Sequence, residues 1–468
     1  MSKVRKLELL APAGNLDKLK SAVLYGADAV YLSNRFFGLR GKAGNFTLNQ
    51  MKEGVEFAHA RGVKVYAAVN IFAYNRDFRR LAEYLKILQD EIHIDAIIVT
   101  DPGVIDLAKE VAPKLELHLS TQANTLNYRA CSFWKKQGVS RVILAREVSF
   151  KDIKKICAED IVDIEIFVHG SICIAYSGRC FISNYMSKYR DANRGLCTNS
   201  CRWNYSLQGK VGEGTTCSTH GSDTSACSNP TDETTQVPAT ESEFKEHAKD
   251  LATSNEFQVE EAERPGEYMP LEEDGRGTYL FNSKDLSLIN RLDDIIESGL
   301  VSLKVEGRTK SVSYVSCITA IYRKALDAYY SSKEDYYKIL PDLNMELAQI
   351  GGRGYTEGLF KGDHQDDYNY HENLALQHSY DLAGYVRKDH ETEKLKHVSI
   401  KQKLIVGQEV QIFRRDLNHE FRTIKEIYKL DGTKVERVVG GDEAYLSGFD
   451  DLEEGTILRI GSKLARKE

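Results

Sequence analysis

Four cysteines stand close together near the middle of the chain and are the residues best suited to metal chemistry. Cys173 and Cys180 are spaced C-x6-C, Cys197 and Cys201 are spaced C-x3-C, and sixteen residues separate the two pairs. Structural zinc sites usually pair their ligands at C-x2–4-C, so the first pair is too wide for a zinc finger or ribbon. Four soft thiolates without a histidine suit an iron–sulfur cluster as well or better. From the spacing alone, a cluster, a zinc ion and unligated thiols all stay open.

Charged side chains alternate with apolar ones along two predicted strands. In Ile164–Val168 and Leu303–Glu306 the apolar set should pack under helices, which leaves the polar set facing the opposite way. Burying a charged side chain on an interior face costs free energy unless the charge is paired with an opposite charge or takes part in the function of the protein. We therefore predict five catalytic residues on these strands and just past their ends: Glu165, His169, Lys304, Glu306 and Arg308.

The alternative for Glu165, Lys304 and Glu306 is a buried ion-pair network without a catalytic role. A further polar residue, His118, occupies the same kind of position in the predicted strand Leu115–Ser120. A single histidine in a strand is more often a satisfied core residue than a catalytic group.

The elements that must position these residues repeat as a strand followed by a helix. The predicted strands are Leu7–Leu10, Ala29–Leu32, Val63–Val69, Ala96–Thr100, Leu115–Ser120, Arg141–Ala145, Ile164–Val168 and Leu303–Glu306. Eight such units predict an α/β fold, a (β/α)8 TIM-like barrel whose active site lies at the carboxyl ends of the strands. An open, doubly wound sheet is the alternative, because counting units cannot show closure.

The chain has 468 residues, which predicts two to four domains. From about residue 381 the pattern changes to short alternating runs broken by glycines, typical of a small all-β barrel. A stretch rich in Ser, Thr, Glu and Gly lacks the apolar periodicity of a packed domain. We predict a catalytic domain at 1–335, with a cysteine-rich loop at 170–205 and a mobile insertion at 209–263, then a linker at 336–380 and a C-terminal β-barrel at 381–468.

The charge balance excludes a generally cationic nucleic-acid-coating protein. Lys and Arg number 63 and Asp and Glu number 69, for a net charge of −6, although a local basic patch stays possible. No apolar run approaches the length of a membrane span, and the first residues, MSKVRKLELLAPAGN, contain no signal-peptide core. We expect a cytoplasmic protein without a membrane partner.

The cysteine-rich loop interleaves basic and aromatic residues. Such a mixture can pair with phosphates and stack on an unpaired base, as in single-stranded RNA recognition. An ordinary solvated loop is the alternative. The predicted substrate-binding residues are Arg179, Tyr185, Arg190, Arg194, Arg202 and Trp203.

The segment EIFVHGSICIAYSGRCFIS, residues 165–183, resembles the signature of the collagenase-like peptidase family U-32. Supporting stretches are ELLAPAGN, GADAVYL, NRGLCTNSCRW, RPGEYMP, YLFNSKDL, SLKVEGRTKS and RGYTEG. The resemblance covers about residues 7–360, and the C-terminal β-module is similar to one that many members append.

The resemblance is strongest to the branch of the family that acts in tRNA modification. It implies oxygen-independent hydroxylation of the wobble uridine to 5-hydroxyuridine, with prephenate as the hydroxyl donor. Some members carry a [4Fe–4S] cluster on four cysteines, which implies Cys173, Cys180 and Cys197 as ligands here, with Cys201 the nearest candidate for the fourth. The implied partners are tRNA, a small dicarboxylate donor and the iron–sulfur assembly machinery.

Two other functions stay open at this point. The family name implies a peptidase, but the sequence has no G-x-S-x-G, no H-E-x-x-H and no obvious Cys–His pair. A non-catalytic RNA-binding or assembly factor with a structural cluster is the other alternative. If a dicarboxylate binds, the candidate partners for its carboxylates are Lys304, Arg308 and Arg179, because arginine forks match carboxylate geometry.

Overall fold

The computed structural model describes most of the chain. The described residues are 6–34, 37–38, 45–173, 175–180, 182, 193, 197, 257–260, 268–274, 277–279, 284–350, 354–361, 380–387 and 395–461.

Strands and helices alternate along the first part of the chain, as the sequence predicts. The strands are β1 (Glu8–Pro12), β2 (Ala29–Leu32), β3 (Lys64–Val69), β4 (Ala96–Val99), β5 (Glu116–Leu119), β6 (Arg141–Ile143), β7 (Asp163–Ser171), β8 (Phe257–Glu260), β9 (Tyr268–Asp274), β10 (Gly277–Tyr279), β11 (Asp285–Ser287), β12 (Ser302–Val305) and β13 (Tyr355–Thr356).

The helices are α1 (Leu16–Leu24), α2 (Leu48–His59), α3 (Phe78–Ile87), α4 (Pro102–Val111), α5 (Tyr128–Lys136), α6 (Phe150–Ala158), α7 (Leu292–Ile296), α8 (Val312–Ser331) and α9 (Lys333–Ile350). Many of them begin at a short polar residue whose side-chain oxygen accepts a hydrogen bond from a backbone N–H of the first turn, which offsets the unpaired donors there. These capping residues are Asn15, Thr47, Asp101, Asn127, Ser149 and Ser311.

Eight parallel strands close on themselves. β1 to β7 pair in sequential order, and β12 pairs with β1 on one side and with β7 on the other. Closure confirms the predicted (β/α)8 barrel and excludes the open sheet. The apolar face of the strands packs under the helices; Leu9 and Leu303, which lie opposite each other, are 0% exposed. Burying one such side chain contributes about 1.5–3 kcal/mol.

The pairing of β7 with β12 contains an irregularity that changes where the end of β7 points. Lys304 lies opposite Phe167, but the next residue, Val305, lies opposite His169. Residues that lie opposite each other in neighbouring strands point their side chains to the same side of the sheet. The side chain of Val305 points towards the helices, so the side chain of His169 points there as well. The prediction that His169 faces the barrel interior is therefore corrected.

The C-terminal domain is an antiparallel all-β half-barrel, as the sequence predicts. Its strands β18, β17, β23, β14, β15, β22, β19 and β20 form one sheet in this order, and β16 pairs with β21. Their bounds are β14 (Tyr380–Val386), β15 (Leu395–Ile400), β16 (Leu404–Ile405), β17 (Glu409–Phe413), β18 (Glu420–Thr423), β19 (Ile427–Lys429), β20 (Lys434–Val435), β21 (Arg437–Val438), β22 (Glu443–Ser447) and β23 (Ile457–Gly461).

Buried hydrogen bonds join this domain to the barrel. The hydroxyl of Tyr25, just after α1, donates to the carbonyl of Phe413 at 2.8 Å and accepts from the N–H of Ile457 at 3.1 Å. The hydroxyl of Tyr385 donates to Asp17 at 2.7 Å. In the segment predicted as a linker, α9 packs on the barrel core, and residues 362–379 lie outside the described residues.

Strands β8, β9 and β10 form a small antiparallel sheet that belongs to a second compact unit, residues 201–282. Of the predicted insertion at 209–263, only residues 257–260 are described, so its predicted mobility falls outside the described residues. Within the described ranges, no helix combines the length and the apolar composition needed to cross a bilayer.

Candidate active site

Five side chains form a hydrogen-bonded group inside the barrel, here called the buried charge cluster: Glu8, Tyr66, Arg141, Glu165 and Lys304. The Nζ atom of Lys304 lies 3.0 Å from Oε1 of Glu165, and Nη1 of Arg141 lies 3.2 Å from Oε2 of Glu165. Arg141 also reaches Glu8 at 2.6 Å, and the hydroxyl of Tyr66 donates to Glu8 at 2.7 Å. Two carboxylates therefore balance two cations.

Glu165, at the centre of the buried charge cluster, favours its ionised form although it is closed to solvent. Burial alone would raise the pKa of Glu165, but the ammonium of Lys304 and the guanidinium of Arg141 outweigh it and hold that pKa below its usual range. Glu165 is 0% exposed, so loss of either partner would leave a charge uncompensated in a low dielectric. Glu8 and Arg141 are the first residues of β1 and β6, which places the cluster towards the amino ends of the strands.

A second group, the mouth cluster, lies at the carboxyl ends of the strands and consists of Arg146, Glu306 and Arg308. Nη2 of Arg146 lies 3.9 Å from Oε2 of Glu306, and both side chains keep some solvent exposure, 16% and 14%. Arg146 is held by donation from Nη1 to the carbonyl of Ser171 at 3.1 Å. Barrel enzymes keep their chemistry at this end, so Glu306 is the predicted carboxylate best placed to meet a substrate.

A glycine allows β7 and the chain after β12 to approach closely at the mouth. Gly170 has a φ of +105°, and a Cβ atom there would lie 2.5 Å from the carbonyl oxygen of Glu306. Only glycine combines this conformation with this contact. The backbone N–H of Glu306 donates to the carbonyl of His169 at 2.9 Å, which fixes the start of the loop that carries Glu306 and Arg308.

One cation from each cluster lies near the ring of Tyr31. Nζ of Lys304 lies 4.5 Å from the ring centroid of Tyr31, and the guanidinium of Arg308 lies 5.9 Å from it. The hydroxyl of Tyr31 donates to the carbonyl of Val305 at 3.0 Å, so the ring is fixed in place. Of these two cations only Arg308 belongs to the mouth cluster, and its positive charge favours an anionic ligand at the mouth.

The rings of the two histidines considered from the sequence contact residues outside the mouth cluster. The ring of His169 stands among Tyr314, Tyr322 and Tyr355, with Nδ1 3.3 Å from the hydroxyl of Tyr322. Burial lowers the pKa of His169 to about 3. Nε2 of His118 lies 3.5 Å from the carboxylate of Glu116, and burial lowers the pKa of His118.

A carboxylate from the β6–α6 loop holds the turn between Cys173 and Cys180. Ser177 has a positive φ of 43°, which is uncommon for a residue with a side chain. Glu147 accepts the backbone N–H of Ser177 at 2.6 Å and also the hydroxyl of Ser177. These two bonds offset the strain of the turn, and Glu147 thereby positions the segment that joins the two cysteines.

Three loops at the mouth are tied together around one buried amide. Gln122, after β5, accepts from Asn70, after β3, at 3.4 Å. The carbonyl of Gln122 also accepts from Nε of Arg179 in the cysteine-rich loop at 2.8 Å. Asn193 of the same loop accepts from the N–H of Phe72 and donates to the carbonyl of Cys180 at 3.2 Å. The cysteine-rich loop is therefore anchored to its neighbours at the mouth.

The donor chemistry of this loop fits an iron–sulfur cluster. Cys173, Cys180 and Cys197 are each half-buried, and cysteine thiolates are the usual ligands of such clusters. Among the described residues, no three or more cysteine, histidine, aspartate or glutamate side chains converge into a group that could hold a metal ion. Cys201, the fourth predicted ligand, lies outside the described residues.

Several predicted substrate-binding residues also lie outside the described residues: Tyr185, Arg190, Arg194, Arg202 and Trp203. Arg179 is described, and it lies exposed at the mouth with its guanidinium 5.6 Å from the ring centroid of Phe72.

The sequence reasoning missed functional neighbours of the predicted residues. Glu8 and Arg141 alternate with apolar residues in the same way as Glu165, so the alternation that identified Glu165 could have identified them. Arg146 and Glu147 follow the end of β6, where no periodicity exists, and only the position after a barrel strand pointed to them.

Fold and site together define a class, the (β/α)8-barrel proteins with charged residues and a cysteine-rich loop at the barrel mouth and an appended β-domain. Residues 14–369 match Peptidase family U32, and residues 378–459 match the Peptidase family U32 C-terminal domain. The chain belongs to the U32 family.

Curated relatives match along both domains. The chain is 36% identical to "tRNA hydroxylation protein P1" of Bacillus subtilis (strain 168), covering 92% of this chain and 89% of that protein. It is 36% identical to "tRNA hydroxylation protein P" of Escherichia coli (strain K12), covering 96% and 95%. It is 30% identical to the "23S rRNA 5-hydroxycytidine C2501 synthase" of Escherichia coli (strain K12), covering 70% of this chain and 41% of that protein.

Proposed function

We propose that this protein is an RNA-modifying enzyme that hydroxylates tRNA, converting the wobble uridine to 5-hydroxyuridine without molecular oxygen. The observation that carries the proposal is the end-to-end similarity, through the barrel and the C-terminal domain, to proteins named for tRNA hydroxylation. The similarity of the barrel region to an rRNA hydroxycytidine synthase supports the same class of substrate and reaction.

The mouth cluster supports the proposal chemically. A wobble base lies in a single-stranded loop, so turning it into the barrel mouth costs little stacking energy. Arg308, whose guanidinium lies 5.9 Å from the ring centroid of Tyr31, would attract a carboxylate of a dicarboxylate donor such as prephenate. Glu306 keeps partial exposure beside Arg146, and we assign it to positioning the donor or moving a proton.

The cysteine-rich loop would hold the cofactor. In this proposal Cys173, Cys180, Cys197 and Cys201 ligate a [4Fe–4S] cluster, which would supply one-electron redox chemistry when bound. Glu147 holds the turn between the first two of these cysteines, and Gln122 anchors the loop through Arg179. The loop that would hold the cofactor is anchored at the same end of the barrel as the mouth cluster.

Proteolysis is less compatible with the site. A cysteine or serine nucleophile needs a nearby general base, usually histidine. The histidines in the described part of the barrel domain contact other groups: His118 contacts Glu116, His169 contacts Tyr322, and His59 lies 2.9 Å from Asp95. His93 lies 3.2 Å from the carbonyl of Gln89. A thiolate that ligates a cluster is also unable to act as a nucleophile.

One paired assay separates the three candidate functions. Anaerobically purified protein would be incubated with unmodified tRNA transcript and prephenate, and separately with denatured collagen. We expect a uridine that has gained one oxygen atom, detected by nucleoside mass spectrometry, and intact collagen. Collagen fragments with unchanged RNA would establish the peptidase, and tight tRNA binding with neither product would establish the non-catalytic factor.

The matched control is Glu306→Gln, which keeps the shape of the side chain and removes its charge. This variant should bind the same tRNA and form little product, which would show that the product depends on the mouth of this protein and not on a contaminant.

A further inference from the structure

Three exposed tyrosines stand at the mouth end of the barrel. Among the described residues of the barrel domain, five aromatic side chains are strongly exposed, and Tyr74, Tyr128 and Tyr176 are 56%, 40% and 50% exposed. The other two, Phe133 and Tyr337, lie on the outer helices α5 and α9. The exposed aromatic surface is therefore concentrated where substrate enters.

These tyrosines follow every second strand around the barrel. Tyr74 lies in the loop after β3, Tyr128 begins α5 after β5, and Tyr176 lies in the cysteine-rich loop after β7. In a parallel barrel the carboxyl ends of all strands meet at one end. The loops are tied to each other through Gln122, so the tyrosines sit on a connected support.

Each of the three loops carries an exposed arginine that lies near an aromatic ring, and the ring near Arg179 is on the loop after β3. The guanidinium of Arg76 lies 5.6 Å from the ring centroid of Tyr74, and that of Arg129 lies 5.8 Å from that of Tyr128. Arg179, three residues after Tyr176, lies over the ring of Phe72. Within the described part of the chain, neither Arg76 nor Arg129 makes an ion pair, so their charges are available to an external anion.

We propose that Tyr74, Tyr128 and Tyr176, with Arg76, Arg129 and Arg179, form a rim that binds the unpaired nucleotides on either side of the base that enters the mouth. The rings would stack on bases and the guanidinium groups would contact phosphates, the two interactions by which proteins hold single-stranded nucleic acid without reading its sequence. This inference rests on the proposed RNA substrate and adds the surface that holds it. A chain of net charge −6 binds a polyanion only where basic residues are gathered locally.

Binding of two labelled RNAs tests the rim. The probes are a hairpin with an unpaired, uridine-rich loop and a fully paired duplex of the same length, measured by fluorescence anisotropy with the full-length protein. Tyr74→Ala and Tyr128→Ala should each weaken hairpin binding about tenfold and leave duplex binding unchanged, because stacking needs an unpaired base. Phe133→Ala is the matched control, since Phe133 is equally exposed on α5 but outside the rim, and it should bind the hairpin like the unmodified protein.

The arginines are tested by salt dependence. Arg76→Gln and Arg129→Gln should each reduce the slope of log affinity against log salt for the hairpin by about 0.7, the value for one phosphate contact to a single strand. If the unmodified protein binds the hairpin tightly and the tyrosine variants bind it equally well, the rim inference is wrong while the proposed function stands. If the unmodified protein binds no RNA, both are overturned.

Discussion

Lys304 and Glu165 form an ion pair 3.0 Å long that is closed to solvent inside the barrel. Glu306, two residues after Lys304, instead keeps partial exposure at the mouth and lies 3.9 Å from Arg146. Charges that look alike in the sequence are therefore divided between two levels of the barrel. The lower level is balanced by its own partners, and the upper level lies at the carboxyl ends of the strands, where barrel enzymes keep their chemistry.

The lower level predicts a structural role for Glu165. Glu165→Gln leaves Lys304 and Arg141 with one carboxylate fewer, and we expect the free energy of unfolding to fall by about 3–5 kcal/mol, the usual cost of breaking a buried ion pair. Urea denaturation measures the change. Adding Lys304→Met to Glu165→Gln should restore part of the loss, because it removes the uncompensated ammonium. Unchanged stability of the single variant would show that the pair is not structural.

The upper level predicts a chemical role for Glu306. Glu306→Gln should melt at nearly the same temperature as the unmodified protein, because the carboxylate is partly solvated, while tRNA hydroxylation falls by about 10²-fold or more. Melting and nucleoside yield are measured on one preparation. Glu56→Gln, at an exposed position on α2, is the control and should change neither quantity. Full hydroxylation by Glu306→Gln would remove Glu306 from the active site.

Strand alternation explains how much of this site the sequence could predict. The barrel follows from the eight successive strand–helix units, and the inward direction of Glu165 and Lys304 follows from the period of two along buried strands. The same rule placed His169 inside the barrel, but the irregular pairing of β7 with β12 moves it to the helix side. Such an irregularity depends on hydrogen bonds between distant strands, so no local pattern reveals it.

The contacts between loops were beyond prediction for a related reason. Glu147 hydrogen-bonds to the turn at Ser177, and the carbonyl of Gln122 accepts from Arg179. Both partners belong to the cysteine-rich loop and are distant in sequence. Loop residues have no periodicity that would predict their neighbours. The cysteines could be found because their spacing is a local signal, whereas the groups that position them could not.

The proposed cysteine ligands predict the colour of the purified protein. Anaerobically purified protein should be brown, as expected for a thiolate-ligated iron–sulfur cluster. Cys173→Ala or Cys180→Ala should abolish the colour and the bound iron measured by elemental analysis. Cys217→Ala and Cys227→Ala, outside the spaced set, should keep both. A colourless protein with one stoichiometric zinc ion would exclude the cluster.

His169 predicts part of the acid sensitivity of the fold. Its folded-state pKa of about 3 lies below the ordinary value of 6.5, so between these values the unfolded chain binds one proton more. Stability should therefore fall as the pH falls through this window, by about 1.4 kcal/mol per pH unit from this group. His169→Leu should lower the slope of unfolding free energy against pH by that amount. An unchanged slope would show that His169 is protonated in the folded protein, and Phe133→Ala serves as the control.

Nucleoside mass spectrometry of tRNA from cells grown without oxygen tests the central claim most directly. A strain lacking this gene would carry the unmodified protein, Glu306→Gln or an empty vector, with folded protein verified in each extract. We expect 5-hydroxyuridine, or nucleosides derived from it, only with the unmodified protein. Equal amounts of these nucleosides in all three strains, or their appearance only when oxygen is supplied, would contradict an oxygen-independent tRNA hydroxylase with its active site at the barrel mouth.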